Sequence, residues 1–275
     1  EHLTVCHFVN SGSEANELAL RMAKNYTGGN EMVVMETGYH GNTNGCIEIS
    51  SYKFDGKGGS GAPSHIHVVP TPDAYRGKFK GRGEEVYTQF VKDAIANIES
   101  KGGKLAGFIA ESILSCAGQV PLPTNFLKDT YNIIHEAGGV CIADEVQTGI
   151  GRVGNKFWSF ELQGVKPDIV TIGKPLGNGH PMAAVVTSAE VADRFANGME
   201  YFNTFGGNPV SCAIASEVLQ IVKEDNLQEH ARKVGNELIN GLQELKNQYP
   251  IIGDVRGHGL FSGFELVRYQ GDQII

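Results

Sequence analysis

Asp168-Ile-Val-Thr-Ile-Gly-Lys-Pro-Leu-Gly-Asn-Gly-His-Pro-Met-Ala-Ala-Val-Val186 places two apolar runs on either side of a lysine in a glycine- and proline-rich turn. Ile169 to Ile172 has the length and β-branched content of a buried strand, and Met182 to Val186 reads as a second one. Lysine is rarely buried unless it is paired. Lys174, at the end of a core strand, therefore needs a chemical reason. A lysine meant for a surface ion pair would sit on a helix face with its ammonium in water. Lys174 instead enters a turn built from Pro175, Gly177, Gly179 and Pro181.

Outward from this stretch, short apolar runs alternate with amphipathic ones. Strands are expected at Thr4 to Val9, Glu31 to Glu36, Ile66 to Pro70, Ala106 to Ala110, Val140 to Asp144, Ile169 to Ile172 and Ala183 to Thr187. Helices are expected at Ser13 to Tyr26, Gly83 to Ser100, Asn125 to Ala137 and Ala189 to Ala196. This rhythm predicts an α/β fold with a mostly parallel sheet covered on both faces. Ligands of such sheets bind beyond the carboxyl ends of the strands, where Lys174 lies. After Phe205 two long helical patterns, Pro209 to Lys223 and Gln228 to Gln248, precede a strand-rich end from Ile251 to Val267. We expect residues 1–223 to form a large domain and 224–275 the beginning of a smaller α+β one. The Gly/Ser-rich Asp55 to Ser64 reads as a surface loop. The chain opens without Met inside a strand-like segment, and is expected to be the middle of a longer protein.

Composition narrows the function. Hydrophobic content of 41% and charged content of 20% describe an ordinary globular chain. A net charge of -8 over 275 residues argues against nucleic acid or an anionic membrane as partner. No apolar run approaches membrane-spanning length. Cys6, Cys46, Cys116, Cys141 and Cys212 are scattered and contain no Cys-x-x-Cys pair, which predicts reduced thiols in a cytoplasmic compartment and no zinc site.

Four constellations could carry chemistry. In Asn10-Ser-Gly-Ser-Glu-Ala-Asn16 a strand ends and a helix begins, with Ser13 or a neighbour as cap; the amides of Gly12 and Ser13 can then face an anion. In Cys141-Ile-Ala-Asp-Glu-Val-Gln-Thr148, Asp144 ends a buried strand and calls for a cationic partner, while Glu145 faces the other way. Gly149-Ile-Gly-Arg-Val-Gly154 matches Gly-x-Gly-x-x-Gly, but four residues separate it from the preceding strand and no helix pattern follows. A dinucleotide site needs both contexts. The fourth is Lys174, which can act as an amine nucleophile toward an aldehyde. Pyridoxal phosphate is an aldehyde cofactor that requires a Schiff-base lysine, an acid at its pyridine nitrogen and a phosphate cradle. Lys174, Asp144, and Gly12 with Ser13 supply these three.

The chain resembles the class III (omega-type) pyridoxal-phosphate-dependent aminotransferases over essentially its whole length. The likeness rests on Ser11-Gly-Ser-Glu-Ala-Asn16, Gly38-Tyr-His-Gly41, Asp144-Glu-Val-Gln-Thr-Gly149, Pro167-Asp-Ile-Val-Thr-Ile-Gly-Lys174 and Thr204-Phe-Gly-Gly-Asn-Pro209, in the family's order and spacing. It implies fold type I: a large domain with a seven-stranded, mostly parallel sheet, a smaller C-terminal domain, and a homodimer. It also implies transfer of an amino group from an amine or amino acid to a keto acid.

Residue by residue, Lys174 resembles the Schiff-base lysine that also moves the substrate proton, and Asp144 the acid at the pyridine nitrogen. Tyr39 resembles the ring-stacking aromatic, and Gln147 a residue near the phenolic oxygen. Ser11, Gly12 and Ser13 correspond to the phosphate cradle. Thr204 corresponds to a phosphate ligand reaching into the neighbouring subunit. His40 and Glu111, in matching segments, are carried over as cofactor-binding.

Two departures narrow the substrate. Ser112 replaces the proline that often follows Glu111, and Cys116 stands where a second glutamate is common. In omega-aminotransferases that glutamate pairs with a substrate-switching arginine, so its absence argues against an ornithine- or GABA-type enzyme. Together with Gly173-Lys-Pro-Leu-Gly-Asn-Gly-His-Pro181, the pattern is most similar to the alanine–glyoxylate aminotransferase 2-like subgroup. That subgroup includes phospho-lyases acting on phosphoethanolamine or phosphohydroxylysine, and elimination of phosphate is the alternative expectation.

Overall fold

The computed structural model describes residues 2–83, 85–270 and 273–274. All seven expected strands form: β1 (Val5–Val9), β2 (Glu31–Met35), β3 (Ile66–Val69), β4 (Leu105–Glu111), β5 (Val140–Glu145), β6 (Ile169–Ile172) and β7 (Ala183–Thr187). They join one sheet in the order β1-β7-β6-β5-β4-β2-β3. β7 runs antiparallel to β1 and β6, whereas the pairs from β6 through to β3 are parallel. The antiparallel strand follows from the opening stretch. The ten residues between β6 and β7 allow a tight reversal but no crossover helix, which a parallel partner would need.

Side chains alternate across the pleat, so a strand covered on both faces must be apolar at successive positions. In β2, Val33 and Met35 pack on the side of α2 (Glu85–Ser100) and α3 (Phe126–Glu136). Met32 and Val34 pack on the other side, against α1 (Gly12–Thr27) and α4 (Ala189–Phe195). The two cores explain why these strands read as unbroken hydrophobic runs. Helix α1 begins one residue before its expected start. Ser11, not Ser13, is the N-cap, its Oγ accepting from the Glu14 N–H at 3.1 Å. Gly28, at φ +69, closes the helix at its other end.

Lys174 does not sit in an irregular turn. It is the first residue of a single helical turn, Lys174–Gly177, entered through Gly173 at φ -146 and ψ -117. His180, at the end of that stretch, bonds Ser211 Oγ at 2.8 Å and so ties it to α5 (Pro209–Glu224). α6 (Leu227–Gln248) and the hairpin of β8 (Ile252–His258) and β9 (Phe261–Leu266) follow.

Gly149 to Gly154 forms no dinucleotide site. The next element is a 3-10 turn, Ser159–Gln163, in place of a long helix. Gly151 and Gly154 adopt positive φ, and a Cβ on Gly154 would lie 2.7 Å from Arg232 Cα. Glycine is used there for close approach of α6, whose Gln228 donates to the Gly154 carbonyl at 3.0 Å. Asp55 to Ser64 is an exposed loop, as expected. Among the described residues no helix is long and apolar enough to cross a membrane.

Candidate active site

The parallel strands end along one edge, and four of them deliver functional groups there. Glu111 ends β4, Asp144 stands beside it on β5, and the next register partner, Thr171, lies on β6 just before Gly173-Lys174. The end of β1 starts α1, and the end of β2 leads into Gly38–Gly41. Together they enclose a cleft of about 160 Å³ lined by Gly12, Ser13, Tyr39, His40, Glu111, Asp144, Gln147 and Lys174, with Asn16, Gly41 and Val146. Eight of the ten expected site residues therefore meet. Ser11 stays behind the helix end as its cap. Thr204 is exposed and outside the cleft of its own chain.

Val146 fixes the floor of the cleft. A Cβ on Gly12 would lie 2.6 Å from Val146 Cγ1, and one on Gly173 2.7 Å from the same atom. Only glycine at both positions lets one valine touch the start of α1 and the lysine turn at once. Gly41, at φ +136, likewise allows the loop after β2 to close on Ser13, and the Asn42 N–H donates to Ser13 Oγ at 3.0 Å. The first N–H groups of a helix have no partner within it. Ser11 satisfies that of Glu14, which leaves the Gly12 and Ser13 end of α1 facing the cleft as an anion-seeking surface.

Asp144 is 3% exposed and held by three donors. Oδ2 accepts from Asn16 Nδ2 and from His40 Nδ1, each at 2.8 Å, and Oδ1 accepts from the Val146 N–H at 3.0 Å. Among the described residues no lysine or arginine pairs with Asp144; an amide, a histidine ring and a backbone N–H hold it. A carboxylate has about four acceptor positions, so one remains on Oδ1. Asn16 also donates to the His40 carbonyl at 2.7 Å. Asn16 Oδ1 and His40 Nε2 are buried and without hydrogen-bond partners. Asn16 was not anticipated; the available signal was an amide among Ala15, Leu18, Ala19 and Leu20, on the helix face turned to the core.

Glu111 is 3% exposed. Burial, reinforced by the charge of Asp144, pushes its carboxyl up to about 7. Its Oε1 accepts from the Ser115 hydroxyl and its Oε2 from the Tyr39 N–H at 3.4 Å. Ser115 Oγ in turn accepts from Gln147 Nε2 at 2.7 Å, so Ser115, a second unanticipated residue, links Glu111 to Gln147. Lys174 is exposed to the cleft, and among the described residues its ammonium has no ion pair or hydrogen bond. It was expected to be buried. The helical turn after Gly173 lifts it off the strand end instead.

Glu145 does face the other way. It is fully buried and accepts from the Ser159 N–H (3.0 Å), Ser159 Oγ (2.6 Å), the Phe160 N–H (2.9 Å) and Thr148 Oγ1 (3.1 Å). Burial pushes its carboxyl up to about 7 against the pull of these donors. A group whose folded value exceeds its unfolded value gives stability that is complete below the unfolded value, near 4.5, and is lost as pH rises through about 7. Glu145→Ala would strand at least the two buried N–H donors, at about 1–3 kcal/mol each. Urea unfolding at pH 7 is expected to show a loss of roughly 2–6 kcal/mol, together with a shallower decline in stability between pH 5 and 8. A loss under about 1 kcal/mol would mean that the Ser159 turn finds other acceptors.

The sequence model of the aminotransferase class-III family matches residues 4–274. The chain belongs to this family. It is 48% identical over 281 residues to an alanine–glyoxylate aminotransferase 2-like protein of Drosophila melanogaster, covering all of this chain and 57% of that one. A solved phospholyase from Arthrobacter, in complex with phosphoethanolamine, superposes with a TM-score of 0.92 at 35% identity, covering 99% of this chain and 64% of its own. An omega transaminase from Pseudomonas jessenii, in complex with PMP, gives 0.87 at 27% identity over 96% of this chain and 61% of its own. The chain thus spans a little over half the length of the curated relative.

Pyridoxal phosphate is the cofactor of this family. The groups lining the cleft fit it: an unpaired amine on Lys174, an open acceptor position on Asp144, the N-terminus of α1, and the unpartnered buried atoms of Asn16 and His40.

Proposed function

We propose that this chain carries the cofactor-binding and catalytic part of an aminotransferase that moves an amino group from an amino acid or amine donor to a keto acid. The observation that carries this reading is the free Lys174 ammonium in the same cleft as the triply held Asp144 carboxylate. Lys174 would hold pyridoxal phosphate covalently, with Gly12, Ser13 and the α1 end cradling its phosphate. Tyr39 would stack on the ring, with Gln147 near its phenolic oxygen, and Glu111 and His40 supporting these two walls. Asp144, with an acceptor position open on Oδ1, would pair with the ring nitrogen, and its anion would keep that nitrogen protonated. When bound, the cofactor supplies an electron sink for the substrate carbon beside the amine. Lys174 Nζ would take the proton from that carbon and return it to the cofactor carbon on the far side of the amine nitrogen, two bonds away.

Residues 1–223 are read as the cofactor domain and 224–275 as the start of the smaller one. Thr204 would serve the cleft of a second copy, which makes the enzyme a homodimer. Met199, Phe202 and Phe205, 71%, 77% and 70% exposed beside it, support this as a surface made to be covered. The five free cysteines support a reducing, cytoplasmic setting.

A second reading is elimination. Cys116 in place of an acid and the likeness to the Arthrobacter phospholyase favour it. The same removal of a proton by Lys174 would then expel phosphate from a substrate such as phosphoethanolamine.

Borohydride treatment of the full-length protein is expected to fix the mass of the cofactor on the peptide containing Lys174. A colourless protein that gains no mass would exclude both readings. Phosphate release from phosphoethanolamine without any keto acid selects elimination, and keto-acid-dependent amino transfer selects the aminotransferase.

A further inference from the structure

Lys53 lies on a helical turn, Ser51–Phe54, that is stitched to the loop carrying Tyr39. The His40 N–H donates to Ser50 Oγ at 2.9 Å, and the Tyr52 N–H donates to the Gly38 carbonyl at 3.2 Å. Tyr39 and Lys53 are therefore placed as one unit. Lys53 Nζ stands 5.6 Å from the centroid of the Tyr39 ring, within cation–π range. Tyr52 meets that ring edge-on at 6.0 Å.

No carboxylate claims this ammonium. Asp55, the nearest acid in sequence, accepts from Ser51 Oγ at 2.7 Å, and among the described residues Lys53 has neither an ion pair nor a hydrogen bond. A half-buried lysine normally finds an acid or reaches fully into water. Lys53 does neither, and it is held over the one cleft wall expected to touch the cofactor ring.

Cys116, exposed, stands where a glutamate would have neutralised a cation. Burial pushes the Cys116 thiol up and the Glu111 charge adds to this, while the Ser115 hydroxyl and the ammoniums of Lys174 and Lys53 draw it back. The two acids of the cleft, Glu111 and Asp144, lie buried with their own donors.

We propose that Lys53 is a specificity-determining residue that receives the terminal anionic group of the substrate amine, a phosphate monoester or a carboxylate. The inference rests on Lys174 marking the amine end of the cleft that Tyr39 lines, and it names the class of molecule that fits: a short primary amine with an oxyanion at its far end. A charge-assisted bond of this kind corresponds to roughly 10- to 100-fold in affinity.

The test uses the full-length holoenzyme and calorimetric binding of three primary amines: ethanolamine, phosphoethanolamine and β-alanine. Wild type is expected to favour at least one anionic amine over ethanolamine by roughly 10-fold or more. Lys53→Gln is expected to erase that preference while leaving ethanolamine binding and the visible spectrum unchanged, and Lys53→Arg to restore most of it. The preference lost in Lys53→Gln, for phosphoethanolamine or for β-alanine, identifies the group that Lys53 receives. Equal binding of all three amines by wild type, or a preference that survives in Lys53→Gln, would overturn the proposal. Turnover is scored separately. A Lys53-dependent preference without phosphate release or amino transfer would refute the proposed reactions and leave the anion subsite standing.

Discussion

Lys174→Ala is expected to lower turnover of the full-length enzyme by roughly 10⁴-fold or more, while the protein remains folded and still takes up the cofactor. Two roles end together: the covalent tether to the cofactor and the proton transfer at the substrate carbon. Proton transfer by a positioned group is alone worth about 10²–10⁴, and a covalent nucleophile adds to this. Folding is expected to survive because the Lys174 side chain is exposed and unpaired, so its removal leaves no buried group without a partner. Gly173, which packs against Val146, is untouched. Retention of cofactor follows from the end of α1 and from Asp144, which do not depend on Lys174. Gel filtration should show cofactor leaving the variant faster than wild type. Single-turnover measurement with saturating cofactor separates the chemical loss from the binding loss. A variant within tenfold of wild type would refute the role of Lys174 as proton carrier.

The centre of the sheet was readable in the sequence because β2, β4, β5 and β6 are covered on both faces. Val33, Val34 and Met35 have to be apolar in succession, and such runs bounded by polar turns are hard to mistake. Lys174 was readable for the opposite reason, since a charge at the end of a buried strand conflicts with its surroundings. The details decided by contacts between distant segments were not readable. That Ser11 and not Ser13 caps α1 depends on one rotamer, because both are serines flanking Gly12. The donors that hold Asp144 include Asn16, 128 positions away, and His40, 104 positions away. Donors brought from distant segments satisfy a buried carboxylate, and nothing local in Asp144-Glu145-Val146 names them. Glu111 and Gln147 were recognised only through family likeness, and their link through Ser115 joins the turn after β4 to the turn after β5. The exposure of Lys174 was missed because a strand end followed by Pro175 reads as an irregular turn. In fact proline suits the first turn of a helix, where its absent N–H is not needed.

Asp144→Asn is expected to reduce kcat by about 10²–10³, the range found when one preorganised electrostatic partner of a reacting group is removed. The substitution keeps the shape of the side chain but replaces one acceptor oxygen by a donor. Asn16 Nδ2 and His40 Nδ1 both donate to Oδ2, so the amide oxygen must turn toward them. The amide nitrogen then occupies the Oδ1 place, where it meets the Val146 N–H and any ring N–H presented by the cofactor. Donor faces donor on that side, and no anion remains to hold the ring proton. Turning the amide over does not help, because it would set two buried donors against an NH₂ group. A buried unsatisfied donor costs about 1–3 kcal/mol, so modest loss of stability should accompany the loss of rate. The decisive measurement is the split between parameters at saturating cofactor. Substrate docking relies on groups other than Asp144, so kcat should fall while KM changes by less than about threefold, the pattern of an interaction made chiefly in the transition state. Asp144→Glu, which keeps the charge but moves it by one methylene, should recover part of the rate. If Asp144→Asn and Asp144→Glu lose rate equally, position and not charge governs this site. If neither loses rate, the ring nitrogen has another partner and the assignment of Asp144 is wrong.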